Sequence, residues 1–150
     1  MQAEADAVIA ADPDLRADRD LLASVAGIGT QTASTVLAEL PERTAGRSAQ
    51  AAAAYAGLSP REFRSGSSVR GRTRLSKAGN ARLRKALFLP TLTAIRFNPL
   101  LKGFFERLVA AGKPRMQAVG ACMRKLVMLC YGVLKNRQPF DPDWASRKAP

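Results

Sequence analysis

Between Ala56 and Leu87, the serines Ser65, Ser67, Ser68 and Ser76 lie interspersed with Arg64, Arg70, Arg72, Arg74, Lys77, Arg82 and Lys85. A serine beside glycine on a loop is accessible, and surrounding cations stabilise the extra negative charge of a pentavalent phosphoryl transition state. Glu62 is the only acid in this segment, so no further carboxylate is at hand as a base. On residue types alone the segment is an anion-binding loop. Two readings stay open for it: a serine that reacts with a phosphate, or a solvated basic loop that grips phosphates, with Gly66, Gly71 and Gly79 serving turns.

A second constellation spans Leu21–Leu40, where two short apolar stretches flank Gly27-Ile28-Gly29. Glycines let a backbone approach a phosphate closely, and the free N–H groups of a helix beginning at Thr30 and Gln31 would point to it. Gly27, Gly29, Thr30 and Gln31 are therefore candidate phosphate contacts in a helix-hairpin-helix element over residues 21–40. The plainer alternative is a helical hairpin with a glycine turn. Contacts of this kind follow the nucleic-acid backbone rather than its sequence.

Charge points the same way. The chain of 150 residues carries 24 Lys and Arg against 12 Asp and Glu, a net +12. Residues 1–20 hold six acids and two bases, so the remaining 130 residues carry +16, and residues 61–85 hold nine bases against Glu62 alone. Such clustering implies a polyanionic partner. The sequence has no histidine, which excludes a histidine general base, a Ser-His-Asp triad and any histidine-ligated metal. Cys122 and Cys130, eight apart in a helical stretch, would stand about 12 Å apart, too far for a disulfide, and read as core thiols of a reducing compartment. The uncharged run Leu21–Ala38 is broken by glycines and polar residues and does not read as a membrane span; no secretory signal opens the chain.

The elements that must position these groups read as nearly all helix. The expectation is an all-α, mainly helical fold, with the helix-hairpin-helix element and a short extended or hairpin-like basic insertion near residues 61–76. Residues 3–11 form an Ala-rich piece resembling the end of a longer helix. Asp14 or Asp18 caps the next helix, which ends near Ala26. Thr30 caps a helix to Leu40, Ser48 starts another over Ala49–Ala56, and Gly57 stops it. Arg70, Arg72 and Arg74, if extended, share one face. A helix kinked at Pro90 runs from about Asn80 to Phe97, Asn98-Pro99 starts the next, and Arg115–Lys135 is the central core helix. The boundaries are 1–13 for a remnant of a connecting helix, 14–137 for the domain, and 138–150 for a tail that Phe140 and Trp144 can pin.

The motifs GIGTQTAS, AAYAGLSP, RSGSSVRG, SKAGNARLRKALF and MRKLVMLCYGVLKN follow one another between about Asp12 and Asp141. In that order they resemble the C-terminal transposase domain of bacterial insertion-sequence transposases. Members pair an N-terminal DEDD, resolvase-like domain with a serine-bearing domain and are guided by a bridge RNA. The resemblance implies that Ser65, of Ser65-Gly66, is the nucleophile that becomes joined to DNA. It makes Arg64, Arg70, Arg72, Arg74 and Lys77 candidates for holding the phosphate, with Ser67 and Ser68 shaping the loop or touching phosphate. Arg82, Arg84 and Lys85 would track a DNA or RNA backbone.

The four carboxylates of the DEDD domain have no counterpart in these residues. Asp12, Asp14, Asp18 and Asp20 crowd a helix start and serve capping. No metal site or cofactor is expected in this chain; a divalent ion (Mg) is expected only in a DEDD domain supplied in cis or trans, which makes this chain the latter half of a two-domain enzyme. The resemblance further implies DNA, a guide RNA and further copies of the chain as partners, and a bacterial cytoplasmic location, nucleoid-associated when bound to DNA. The rival expectations are a non-catalytic backbone-binding module and an inert remnant.

Overall fold

Local signals fix most helix starts. The computed structural model describes residues 2–40, 48–61, 64, 65, 69, 70, 74, 75 and 79–143. Helix α1 covers Gln2–Ala11 and α2 Pro13–Ala23. The α2 cap is Asp12 rather than Asp14 or Asp18: its carboxylate accepts from the N–H groups of Asp14 and Leu15 at 2.9 and 3.4 Å. Pro13 is the reason, because it suits the first helical position and holds the preceding residue extended. Helix α2 also ends earlier than Ala26, since the Ser24 hydroxyl donates back to the Leu21 carbonyl at 2.5 Å and the chain turns there.

Helix α3 covers Thr30–Glu39, with Gly29 instead of Thr30 as its cap; the Gly29 carbonyl accepts the first helical bond, from Ala33 N–H at 2.9 Å. Its hydroxyls are absorbed locally, Ser34 donating to the Thr30 carbonyl and Thr35 to that of Gln31, both at 3.1 Å. Ser48 caps α4, Ala49–Tyr55, accepting from Ala51 N–H at 3.1 Å. Asn80 caps α5, Ala81–Phe97, which continues through Pro90. Asn98 caps α6, Pro99–Ala110, and α7 is Arg115–Asn136.

The domain is mainly helical, built around α7, which packs on α2, α4, α5 and α6. Ala52, Ala53 and Ala56 on and just after α4 are fully buried, as are Leu126, Val127 and Cys130 of α7. Small alanine side chains let α4 approach the core helix closely. Alone among the described helices, α7 is long and apolar enough to cross a membrane, yet it is the helix the others bury. Its end is fixed by Arg137, which takes a left-handed φ of 55° and pairs with Asp18. The tail returns to the body at Phe140, whose N–H donates to the Ser24 hydroxyl at 2.8 Å and whose ring packs on the core; Trp144 lies outside the described residues.

The basic insertion contains two antiparallel ladders nested in sequence. Strand β1, Pro60–Arg61, pairs with β4, Arg74–Leu75; β2, Arg64–Ser65, pairs with β3, Val69–Arg70. Of the two forms expected for the insertion, extended or hairpin-like, the paired one is present, so the condition for Arg70, Arg72 and Arg74 to share a face is not met: Arg70 and Arg74 belong to different ladders, and Arg72 lies outside the described residues.

Candidate nucleic-acid interface and serine hairpin

The insertion leaves the helical body and returns to it at one place. Leu58, fully buried, anchors the outgoing chain behind α4. On return, Gly79 lies so close to α4 that a Cβ there would sit 2.3 Å from the Tyr55 carbonyl oxygen and 2.5 Å from the Gly57 nitrogen, so only glycine fits. The next N–H, of Asn80, donates to the Tyr55 carbonyl at 2.7 Å.

Asn80 ties three helices together. Its Oδ1 accepts from Leu83 N–H at 3.0 Å, capping α5, while its Nδ2 donates to Glu39 Oε2 at 2.9 Å and to the Tyr55 hydroxyl at 3.3 Å. Glu39, at the end of α3, also lies 3.9 Å from the Arg82 guanidinium. Arg84 donates to the Ala56 carbonyl at 3.3 Å. Arg84 is thus half-buried and partly engaged by the protein, whereas Arg82 and Lys85 are exposed on the first turns of α5. Cations at a helix N-terminus oppose the helix dipole unless an anion joins them. Glu39 supplies part of that anion, a role invisible in the sequence because it stands 41 residues from Asn80.

Above this root the register places Arg61 opposite Arg74, Arg64 opposite Arg70 and Ser65 opposite Val69. Like charges directly opposite on an antiparallel pair destabilise it. Ser65 is the last paired residue before the connection to β3. Gly66, Ser67, Ser68, Arg72 and Lys77 lie outside the described residues.

The other constellation is also held from several sides. Gly27 has φ +105°, and a Cβ on it would meet the Ala94 Cβ at 2.6 Å. The close approach at Gly27 is thus made by α5 inside the protein, and its part is to position the turn. Buried Asn98 donates to the Ala26 carbonyl at 3.1 Å, a contact across 72 residues that no sequence pattern signals. What this fixed turn presents outward is Gly29, Thr30 and Gln31, all exposed, with no side chain capping the first N–H groups of α3.

Other chemistry is ruled down by environment. Cys122 and Cys130 are buried, and desolvation pushes their thiols up to about 11 and about 12, so neither is a thiolate near neutral pH. Among the described residues no three acidic or cysteine groups come together to hold a metal. Asp12 is spent on its cap and Asp18 on Arg137, so the acids near α2 do not fit such a site.

A model of the transposase family IS116/IS110/IS902 matches residues 19–106, from within α2 through most of α6. The chain belongs to the IS116/IS110/IS902 transposase family. The matched range of this transposase segment contains the glycine turn, the Asn80 root and the serine hairpin. The chain is 35% identical over 130 residues to the pilin gene-inverting protein of Moraxella bovis, covering 86% of this chain and 40% of that protein. Against the IS110 uncharacterized 43.6 kDa protein of Streptomyces coelicolor, identity is 29% over 116 residues, 77% of this chain and 28% of that one. An IS900 42 kDa protein of Mycobacterium paratuberculosis is 27% identical over 124 residues, 82% of this chain and 31% of that one. The transposase segment spans about two fifths or less of the length of these relatives.

Proposed function

We propose that this chain is the strand-transfer portion of a DNA transposase or recombinase, with Ser65 as the residue that becomes joined to DNA. The observation that supports the reading is the register: Ser65 ends a ladder in which Arg64 stands opposite Arg70, and Arg61 stands opposite Arg74 in the ladder nested outside it in sequence. The Ser65 hydroxyl oxygen attacks the phosphorus and loses its proton. The P–O bond to one deoxyribose breaks, and that sugar oxygen leaves as a hydroxyl. The phosphodiester is conserved as a serine ester, so the reverse attack by another strand's hydroxyl rejoins DNA without outside energy. Arg64, Arg70 and Arg74, with Arg72 and Lys77, offset the charge that builds on the phosphoryl oxygens.

The relative from Moraxella bovis bears a name that describes gene inversion, which supports recombination as the setting. Strand exchange needs more than one reacting serine, so the working form is an oligomer. The proton acceptor and any divalent ion belong to a DEDD domain in cis or trans; Glu39, held by Asn80 and close to Arg82, is committed to the hairpin root. A guide RNA, a cytoplasmic location and the reading of α2–α3 as a helix-hairpin-helix belong to the same proposal.

A second reading has its own observation. The uncapped, exposed start of α3 and the exposed Arg82 and Lys85 suit a clamp on the nucleic-acid backbone without chemistry. Ser65→Ala separates the two. With a DEDD domain supplied and a nicked or junction DNA, strand transfer predicts a protein–DNA adduct that survives denaturation in wild type and is absent in the variant, while binding is retained. A wild-type chain that binds in a strongly salt-dependent way yet never forms an adduct establishes the clamp instead.

A further inference from the structure

At the far end of α5 from the serine hairpin, three helices surround an open cavity of about 560 Å³. Its floor is apolar, from Ile95, Phe105 and Val109, and Arg96 of α5, Lys102 of α6 and Arg115 of α7 stand around it with Glu106 as the one acid. Among the described residues no carboxylate pairs with these three cations. The stretch 96–115 holds five bases against that single acid, so it is a separate concentration of the chain's charge. The start of α7 adds to it: Pro114 caps nothing with a side chain, and residues 111–117 are all exposed. Arg115, the first residue of the longest helix, is the α7 residue that lines the cavity. Phe97, which follows Arg96 in the chain and lies outside the cavity lining, is 66% exposed with the Arg96 guanidinium 5.4 Å from its ring centroid.

We propose that this cavity binds an unstacked nucleotide of single-stranded nucleic acid, the base against the apolar floor or the Phe97 face and the flanking phosphates on Arg96, Lys102 and Arg115. A cationic groove with aromatic faces is the combination that grips single strands, because every base offers a flat apolar face. A duplex hides those faces and would use only the cations. The volume lies in the range of small-molecule sites. The 17 residues of α5 separate this cavity from the hairpin root by about 25 Å, so it is a second contact and not part of the serine site. The proposal does not depend on Ser65.

The test is fluorescence anisotropy of the full chain with a labelled oligo-thymidine strand, the same strand carrying abasic positions, and a duplex of equal length. The expected result is that the abasic strand binds wild type at least about fivefold more weakly than the intact strand. Phe97→Ala should weaken intact single-strand binding by at least about fivefold and leave duplex binding unchanged. Combined Arg96→Ala, Lys102→Ala and Arg115→Ala should weaken single-strand binding about tenfold or more and weaken duplex binding too, because both forms present phosphates to these cations. Circular dichroism checks folding, and these exposed positions are expected to leave it intact. Equal weakening of single strand and duplex by Phe97→Ala, equal binding of abasic and intact strands, or no change in any variant overturns the proposal.

Discussion

Replacing Asn80 by alanine tests whether the serine hairpin is held by its root. The change removes a helix cap, about 1 kcal/mol, and the 2.9 Å bond to the Glu39 carboxylate. A hydrogen bond to a charged group contributes about 1.5–3 kcal/mol, and the lower end applies here because the Glu39 side chain keeps 24% of its exposure and Arg82 remains nearby. The expected loss is about 2–3 kcal/mol. With a urea slope of about 2 kcal/mol per molar, the unfolding midpoint falls by about 1–1.5 M. Asn80→Ser keeps the cap and loses the Glu39 bond, so it should fall between wild type and alanine. Glu39→Ala combined with Asn80→Ala should cost less than the sum of the two single changes. Additive single changes, or an alanine variant within about 0.5 kcal/mol of wild type, would refute the three-helix tie.

Gly27→Ala forces a side chain into a left-handed φ and into Ala94, so it should cost about 2–4 kcal/mol in urea unfolding, whereas Gly29→Ala, with open space and an extended φ, should cost under about 1 kcal/mol. Ser24→Ala removes the acceptor for Phe140 N–H; hydrogen exchange at Phe140 should accelerate while the amides of α7 stay protected. The two thiols, raised to about 11 and about 12 by burial, contribute stability that is complete below the unfolded thiol value of about 8.5 and is lost as pH rises toward the folded values. Stability should therefore decline above about pH 8.5, less steeply in a Cys122→Ala, Cys130→Ala chain.

Helix periodicity and turn residues made most elements legible: Ser48, Asn80 and Asn98 each precede a helix and each caps it. The misplacements were local contests. Pro13 gave the cap to Asp12, and the glycine before Thr30 took the first helical bond. The serine hairpin was legible as a basic, non-helical, extended or hairpin-like insertion, but its register was not: two-residue ladders carry too little alternation to set one, and Arg70 and Arg74 stand on two strands rather than on the single run that would give them a common face. The root escaped because Glu39, Tyr55 and Asn80 meet only through tertiary packing. The cavity near Arg96 escaped for the same reason, its cations coming from three helices.

The most direct test of Ser65 is the position of the DNA on the protein. Trypsin cleaves after Arg64 and Arg70, releasing Ser65–Arg70 with three serines. The adduct formed with nicked or junction DNA, in the presence of the DEDD domain, is digested with nuclease and trypsin and fragmented in a mass spectrometer. The predicted result is a nucleotide phosphate on Ser65. Modification of Ser67, Ser68 or any other peptide would contradict the assignment.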